Sequence, residues 1–439
     1  MKILALTGML GYGYSEEALR IAFSEKVDYV GVDAGSTDPG PYYLGSGKSF
    51  TDRSAVKRDL ALALPLALKA GSPFIIGSAG GAGSRVHTNW VKDIILEFAS
   101  ENNLSFKMGV VYSDVSVGYV IDKLDSGKIV NMSETFPITK QDVYDSKTIV
   151  SQIGVEPIIE LLKQNVDVIL CGRACDTAIY AAPCIYQGYD RGLSFHMAKI
   201  MECGSMCAEP VAAADVMQGY MYDDYFELCP ANPNRRCTVD RVRAHTLYEQ
   251  TNPYLIFEPD GTADLSESEF IQKDERTVRV QGSKFIDAHK KTLKLEGVKC
   301  SGYRTISPCC INDFDTIEHI DEIFTTVAEF VANNIPASIN KSDYILMFKR
   351  VGGGGNSLGI IIDVVGKTKD IADTVCSLAR SRCLHCDFDG RKSTAGNLAF
   401  PFSPSDIHVG EVYEFSVFHL VCVDSFSETS ETMIMEVGK

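Results

Sequence analysis

Short apolar runs alternate with stretches of helical period through the first 180 residues. Lys2 to Thr7, Tyr29 to Val32, Phe74 to Ile76, Met108 to Tyr112 and Val166 to Cys171 are brief and nearly uninterrupted, as strands buried on both faces are. Between them apolar residues recur every three to four positions. This predicts helices near Glu16 to Ser24, Ala55 to Lys69, Trp90 to Glu101, Val117 to Leu124 and Pro157 to Gln164. Strand, helix, strand in that order calls for crossovers, so the N-terminal region reads as α/β, a mainly parallel sheet with helices on both faces. In such sheets the loops at the carboxyl ends of the strands converge on one rim, where ligands bind.

A helical stretch from Ser194 to Cys203 follows, and after about residue 230 the texture changes. Arg276 to Val280, Leu293 to Leu295 and Tyr344 to Phe348 alternate in the strand manner, with helical patterns near Ile320 to Ala332 and Lys369 to Ala379. Cys229 to Arg236, with Pro230 and Pro233, reads as a linker. The expected organisation is an α/β ligand-binding domain over 1–230 and a C-terminal α+β domain over 231–439.

Four loops on the predicted rim carry unusual polar content. The first strand runs into Gly8, Gly11 and Gly13 with Ser15 placed to cap a helix, so Gly11 and Gly13 read either as an anion-binding turn or as a plain one. The second ends in Asp33, Gly35, Ser36, Thr37, Asp38 and Gly40, more functionality than a connector needs, or an ordered loop whose Asp residues make their own turns. The third ends in Ser78, Gly80, Gly81, Gly83 and Ser84, followed by Arg85 and His87; it reads as a cradle of N–H donors with Arg85 adding a bidentate contact, or as a flexible structural turn. The fourth strand is followed by Arg173 and Asp176, a cation to orient a substrate and a carboxylate to move a proton, or a structural ion pair. None of these is a dinucleotide fingerprint or a P-loop.

His196 and Glu202 lie six apart, on different faces of a helix, which excludes a zinc-protease pair; each reads either as reaching the pocket separately or as a satisfied His and a solvated Glu, and Glu202 is carried as a catalytic candidate. The chain has 14 cysteines, but only one C-x-x-C, at Cys383 and Cys386, without a second pair at zinc-site spacing. They read as reduced thiols of a cytoplasmic protein, and neither metal nor cofactor is expected. Two further backbone-driven loops, Val351 to Asn356 and Thr394 to Asp406, are open to ligand, subunit or purely structural readings.

A net charge of -16 disfavours nucleic acid and anionic membrane, while a local nest or one Arg can still hold a small anion. The start of the chain reads as a strand rather than a signal peptide, and no run approaches the apolar length of a membrane span.

The Gly11-Tyr-Gly13 start, Val32 to Gly45, Ile75 to Ser84, Cys171 to Pro183, His196 to Gly204 and Thr394 to Ile407 together resemble the acyclic terpene utilisation, AtuA-like, family across essentially the whole chain. The match is to a branch with the DAGSTDPGPYYLG loop rather than to the terpene-pathway members. The resemblance implies carboxylate or acyl-CoA chemistry without fixing a reaction. Combined with the loops, it gives an expected enzyme of small carboxylic acid or acyl-CoA catabolism, a hydro-lyase or isomerase. In it Asp33, Asp38, Asp176 and Glu202 move protons, and Gly11, Gly13, Ser36, Thr37, Ser78, Gly80, Gly81, Gly83, Ser84, Arg85 and Arg173 bind an anionic small molecule. A homo-oligomer is expected. The alternative is a non-catalytic ligand-binding or scaffold subunit whose site a small partner subunit completes.

Overall fold

The computed structural model describes residues 1–132, 137–249, 252–352, 357–392 and 396–438. Gly353 to Asn356, Thr394 and Ala395, from the two C-terminal loops singled out above, lie outside the described residues.

The chain divides into two compact units, Met1–Lys299 with Phe415–Lys439, and Cys300–Glu414. The first is built on a ten-stranded sheet in the order Glu269–Gln272, Val278–Gln281, Tyr225–Pro230, Asp215–Met221, Lys2–Thr7, Tyr29–Asp33, Phe74–Gly77, Val168–Cys171, Phe106–Tyr112, Glu431–Val437. The five strands from Lys2–Thr7 to Phe106–Tyr112 are parallel, as crossovers dictate; the flanking strands run antiparallel.

Side chains alternate across a strand, and the core follows that alternation. Ile3 and Ala5 pack on one face with helices Glu156–Lys163, Ala178–Tyr186 and Arg191–Met201. Leu4 and Leu6 pack on the other with Glu16–Ala22, Arg53–Ala70 and Arg85–Glu101. Both faces are covered, as the doubly apolar strands require. Local signals set the helix ends: the Asp52 carboxylate accepts from the Ser54 and Ala55 N–H groups to start Arg53–Ala70, and Gly71, at φ 65°, ends it.

The expected division at residue 230 does not coincide with these units. Tyr225–Pro230 pairs with both Asp215–Met221 and Val278–Gln281, so the chain past 230 continues the first sheet instead of leaving it. Cys229 to Arg236 is correspondingly not a linker. Arg235 donates to the Pro210 and Ala208 carbonyls and pairs with Asp215 at 2.8 Å, while Arg276 donates to the Pro230 and Asn232 carbonyls at 2.7 Å.

The second unit has a β-α-β-β-α-β order. The Thr292–Ile311 strand pairs antiparallel with Leu358–Gly366, which pairs with Tyr344–Gly352, and helices Ile320–Asn334 and Lys369–Leu384 share one apolar core with them. Ile407–Cys422 lies on the other side of the first strand, giving the fourth-first-third-second order of a split βαβ sandwich.

Candidate functional site

The loops leaving the carboxyl ends of the parallel strands are tied to one another by their backbones. Leu10 N–H donates to the Asp33 carbonyl, Ala34 N–H to Gly77, and Ala79 N–H to Cys171, at 2.8, 2.8 and 3.0 Å. The expected rim therefore exists, and four successive loops build it. What the loops do with their polar groups differs from the expectation.

The first turn does bind an anion, but the chain's own. Gly11 and Gly13 N–H groups donate to the fully buried Asp59 carboxylate at 2.7 and 3.0 Å, and Arg58 caps its other oxygen at 2.7 Å. Ser78 to Ser84 is buried throughout. A Cβ on Gly35 would lie 2.2 Å from the Gly81 Cα, and one on Gly83 would lie 2.2 Å from the Arg173 nitrogen. These glycines serve backbone-on-backbone packing between loops, which explains their density without a ligand. Gly35→Ala, at φ 147° and against backbone, should cost at least about 2 kcal/mol, read as a lowered melting temperature.

Arg85, expected in the anion cradle, sits in the first turn of its helix, stacks on Tyr112 at 4.1 Å and pairs with Glu431 at 2.5 Å. Ser84 is engaged with the His87 ring at 2.7 Å. Asp38 is exposed, and Ser36 accepts from the Asp38 N–H at 3.1 Å.

Arg173 is the hub of the interior. Its Nε donates to Glu296 at 2.8 Å, Nη1 to Ser78 Oγ and the Ala174 carbonyl at 3.1 Å each, and Nη1 reaches Asp176 at 3.4 Å. Glu296, wholly buried, also takes Lys294 at 2.7 Å and the Thr37 hydroxyl at 2.9 Å. Burial works to raise the Glu296 carboxyl, but Arg173 and Lys294 outweigh it and hold it down to about 2. Arg173 is thereby committed within the protein, positioning the loop that carries Asp176.

Asp33, Asp176 and Glu202 form a second, contrasting cluster. Burial raises Asp33 well above the carboxylate range, with the Asp176 charge adding to it and Arg173 opposing. Asp176 is raised by burial although Arg173 and Lys199 oppose. Glu202, beside Lys199, is pushed up to about 8 by burial, and Asp176 adds to the push. Lys199 stays protonated, since Glu202 outweighs its burial. The Tyr180 hydroxyl, fully buried, has no hydrogen-bond partner among the described residues and feels the charges of Asp33, Glu202 and Asp176. Asp33 and Asp176 are nonetheless only half-buried, so the cluster is enclosed yet reachable. Arg173, Lys199 and Lys294 face Asp33, Asp176, Glu202 and Glu296, so carboxyls outnumber cations, and like charges so close cannot all ionise. The titration steps belong to the group as a whole.

Glu258 extends this cluster. It accepts from the Thr177 hydroxyl at 2.9 Å and from the Cys175 thiol at 3.3 Å, and burial pushes it up to about 7.

The family model for the acyclic terpene utilisation family protein AtuA matches residues 7–219 and 229–348. The chain belongs to the AtuA family. No curated protein and no solved structure matches it.

In this AtuA-family chain, several members of the cluster escaped the sequence reading. Lys199 stands three residues before Glu202, itself a sequence candidate, on one apolar helix, a legible signal of a buried ion pair. Glu296 and Glu258 come from strands more than 80 residues from their partners, and nothing local marks them. His196, by contrast, is a core residue: its ring meets Ser283 Oγ at 2.7 Å and Thr246 Oγ at 3.3 Å, and burial holds it down to about 3. Among the described residues no group of three His, Cys, Asp or Glu is arranged to hold a metal, and all 14 thiols are free. No helix of the described residues is long and apolar enough to cross a membrane.

The raised carboxyls set a pH dependence for folding. Glu202 and Glu258 keep protons in the folded chain that the unfolded chain, with values near 4.5, has released. Their contribution is present below pH 4.5 and is lost as pH rises through 7 and 8. The buried neutral His196 acts in the opposite sense, but only below its ordinary value of 6.5. Stability should therefore fall between about pH 6.5 and 8, by up to about 1.4 kcal/mol per pH unit for each proton the folded chain keeps and the unfolded chain has lost, and Glu202→Gln should flatten the slope in thermal melts.

Proposed function

We propose that this AtuA-family chain is a proton-transfer enzyme of small carboxylic acid or acyl-CoA catabolism, a hydro-lyase or an isomerase. The observation that carries this reading is the group of Asp33, Asp176 and Glu202 around Lys199, enclosed yet reachable at the carboxyl ends of parallel strands. Carboxyls that outnumber the cations beside them hold both a carboxylate and a carboxylic acid at neutral pH, so a base and an acid stand in the same site.

In the hydro-lyase direction the carboxylate takes a proton from the carbon next to the substrate carbonyl. That C–H electron pair becomes the new C=C bond, and the neighbouring hydroxyl departs with the proton of the acid, as water. In an isomerase the same groups remove a proton at one carbon and return it at another. Lys199, and the unpartnered Tyr180 hydroxyl, supply donors for the carbonyl oxygen on which charge develops. The Arg173–Glu296 pair fixes the Asp176 loop.

Solvent exchange tests the reading before the substrate is known. A panel of hydroxy acids, dicarboxylates and acyl thioesters incubated with the protein in D2O should show deuterium at carbon in at least one member, by mass spectrometry. Asp33→Asn should remove it, and a panel without incorporation would contradict the proposal.

Free thiols in this number support a reducing, cytoplasmic setting. Assembly is supported by the Tyr344–Gly352 edge strand of the second unit, which leaves Ile345 and Val351 60% and 56% exposed. An exposed apolar edge is a template for a further strand, from a second copy or a small partner subunit. Native mass spectrometry should show an oligomer that Ile345→Lys dissociates; an unchanged mass would contradict it.

A further inference from the structure

Cys175 does not stand alone in its loop. Its side chain is half-buried, and the thiol donates to Glu258 Oε2 at 3.3 Å. The same carboxylate oxygen accepts from the Thr177 hydroxyl at 2.9 Å, which holds it beside the sulfur. A nucleophile, a base within hydrogen-bond reach and a group that orients the base are the parts of an activated thiol.

This pair opens on a cavity of about 540 Å³ within the first unit, a volume in the range of small-molecule sites. Phe257 and Leu420 give it apolar walls, and Lys294 adds a positive charge. That ammonium is fixed, paired with Glu296 at 2.7 Å and lying 4.2 Å from the Phe418 ring centre.

The surroundings restrict what the thiol can react with. Burial, together with the charges of Glu258 and Asp176, holds Cys175 well above the usual thiol range, so no ready thiolate meets electrophiles from bulk water. The proton has to leave as the new bond to sulfur forms. Glu258, pushed up to about 7 by burial, is ionised at pH 8 and stands in place to take it. Lys294 favours an electrophile in which negative charge develops on an oxygen, and the apolar walls favour a hydrocarbon skeleton.

We propose that Cys175, with Glu258 as its base, is a covalent site for small α,β-unsaturated aldehydes and ketones. Sulfur bonds to the β carbon, and the C=C electron pair moves toward the carbonyl as an enolate whose oxygen Lys294 stabilises. Glu258 takes the thiol proton and returns it to the α carbon. The product is a thioether, formed with no oxidant and no leaving group. This chemistry stands apart from the proton transfer assigned to Asp33, Asp176 and Glu202.

The probe 3-penten-2-one, added to the full chain at pH 8, tests it by peptide mass spectrometry. Adduct formation at Cys175 should saturate with probe concentration, whereas at the exposed Cys300 it should rise linearly. Glu258→Gln should slow the Cys175 reaction about tenfold or more and leave Cys300 unchanged. Phe257→Ala, at a position 65% exposed and so tolerant of change, should raise the half-saturating concentration without altering the saturated rate. A rate at Cys175 linear in probe, or a Glu258→Gln chain that reacts as fast as the wild type or faster, would overturn the proposal.

Discussion

On the proton-transfer reading, Asp176→Asn should lower kcat by about a hundred- to ten-thousand-fold, while the chain still folds. The replacement keeps the shape of the side chain and an oxygen for Arg173 Nη1, now 3.4 Å away. It removes only the capacity to hold and release a proton, and losses of that size follow the removal of a general acid or base. Folding survives because no buried charge is orphaned: Arg173 keeps Glu296 and Lys199 keeps Glu202. Losing the Asp176 charge also relieves Asp33 and Glu202, both of which it pushes up. Residual activity should therefore show its pH profile displaced to lower pH, which a merely structural lesion would not produce. Asp38→Asn should have a smaller effect, since that side chain is exposed and reaches Asp176 only through its charge.

Arg173→Ala has the largest expected effect on stability. Arg173 and Glu296 are 3% and 0% exposed, and truncating the arginine leaves a buried carboxylate with Lys294 and Thr37 alone. Breaking a buried pair from one side costs about 3–5 kcal/mol. Ser78 Oγ and the Ala174 carbonyl lose their donor as well. Arg173→Lys should recover little, because one ammonium cannot reproduce a fork that meets Glu296, Ser78 and Ala174 at once. Replacing both partners together, Arg173→Met with Glu296→Leu, should recover most of the loss, since the cost lies in the unpaired charge. Urea unfolding of the three variants reads this cycle; a single Arg173→Ala loss below about 1 kcal/mol would show that the pair does not hold the loop.

The parallel sheet was legible because its strands are short, apolar on both faces and separated by helical periods. Lys2–Thr7 and Phe74–Gly77 fall where the runs place them. The boundary at 230 was not legible. Proline and asparagine at 230–234 mark a turn, and only the pairing of Tyr225–Pro230 with a strand 50 residues later shows that the sheet goes on. The glycine-rich loops were read correctly as rim elements that need unusual backbone. Their purpose was misread, because a glycine that admits a ligand and a glycine that admits another loop look the same in sequence. Gly35 against Gly81 is the second kind. Asp33, Asp176 and Glu202 were visible as polar residues at strand or helix ends. Glu296 and Glu258 were not, because long-range topology alone brings them to Arg173 and Thr177.

The central claim is that this site retains a carboxylic acid proton at neutral pH beside an ionised carboxylate. Infrared difference titration between pH 5 and 9 observes that proton directly through the carbonyl stretch of a protonated carboxyl. The wild-type chain should keep such a band above pH 5 and lose part of it as pH rises through about 7 and 8, where burial places Glu156, Glu258 and Glu202, and the portion near 8 should be missing from Glu202→Gln. Complete ionisation of every carboxyl by about pH 5, with no band left to lose, would contradict the account.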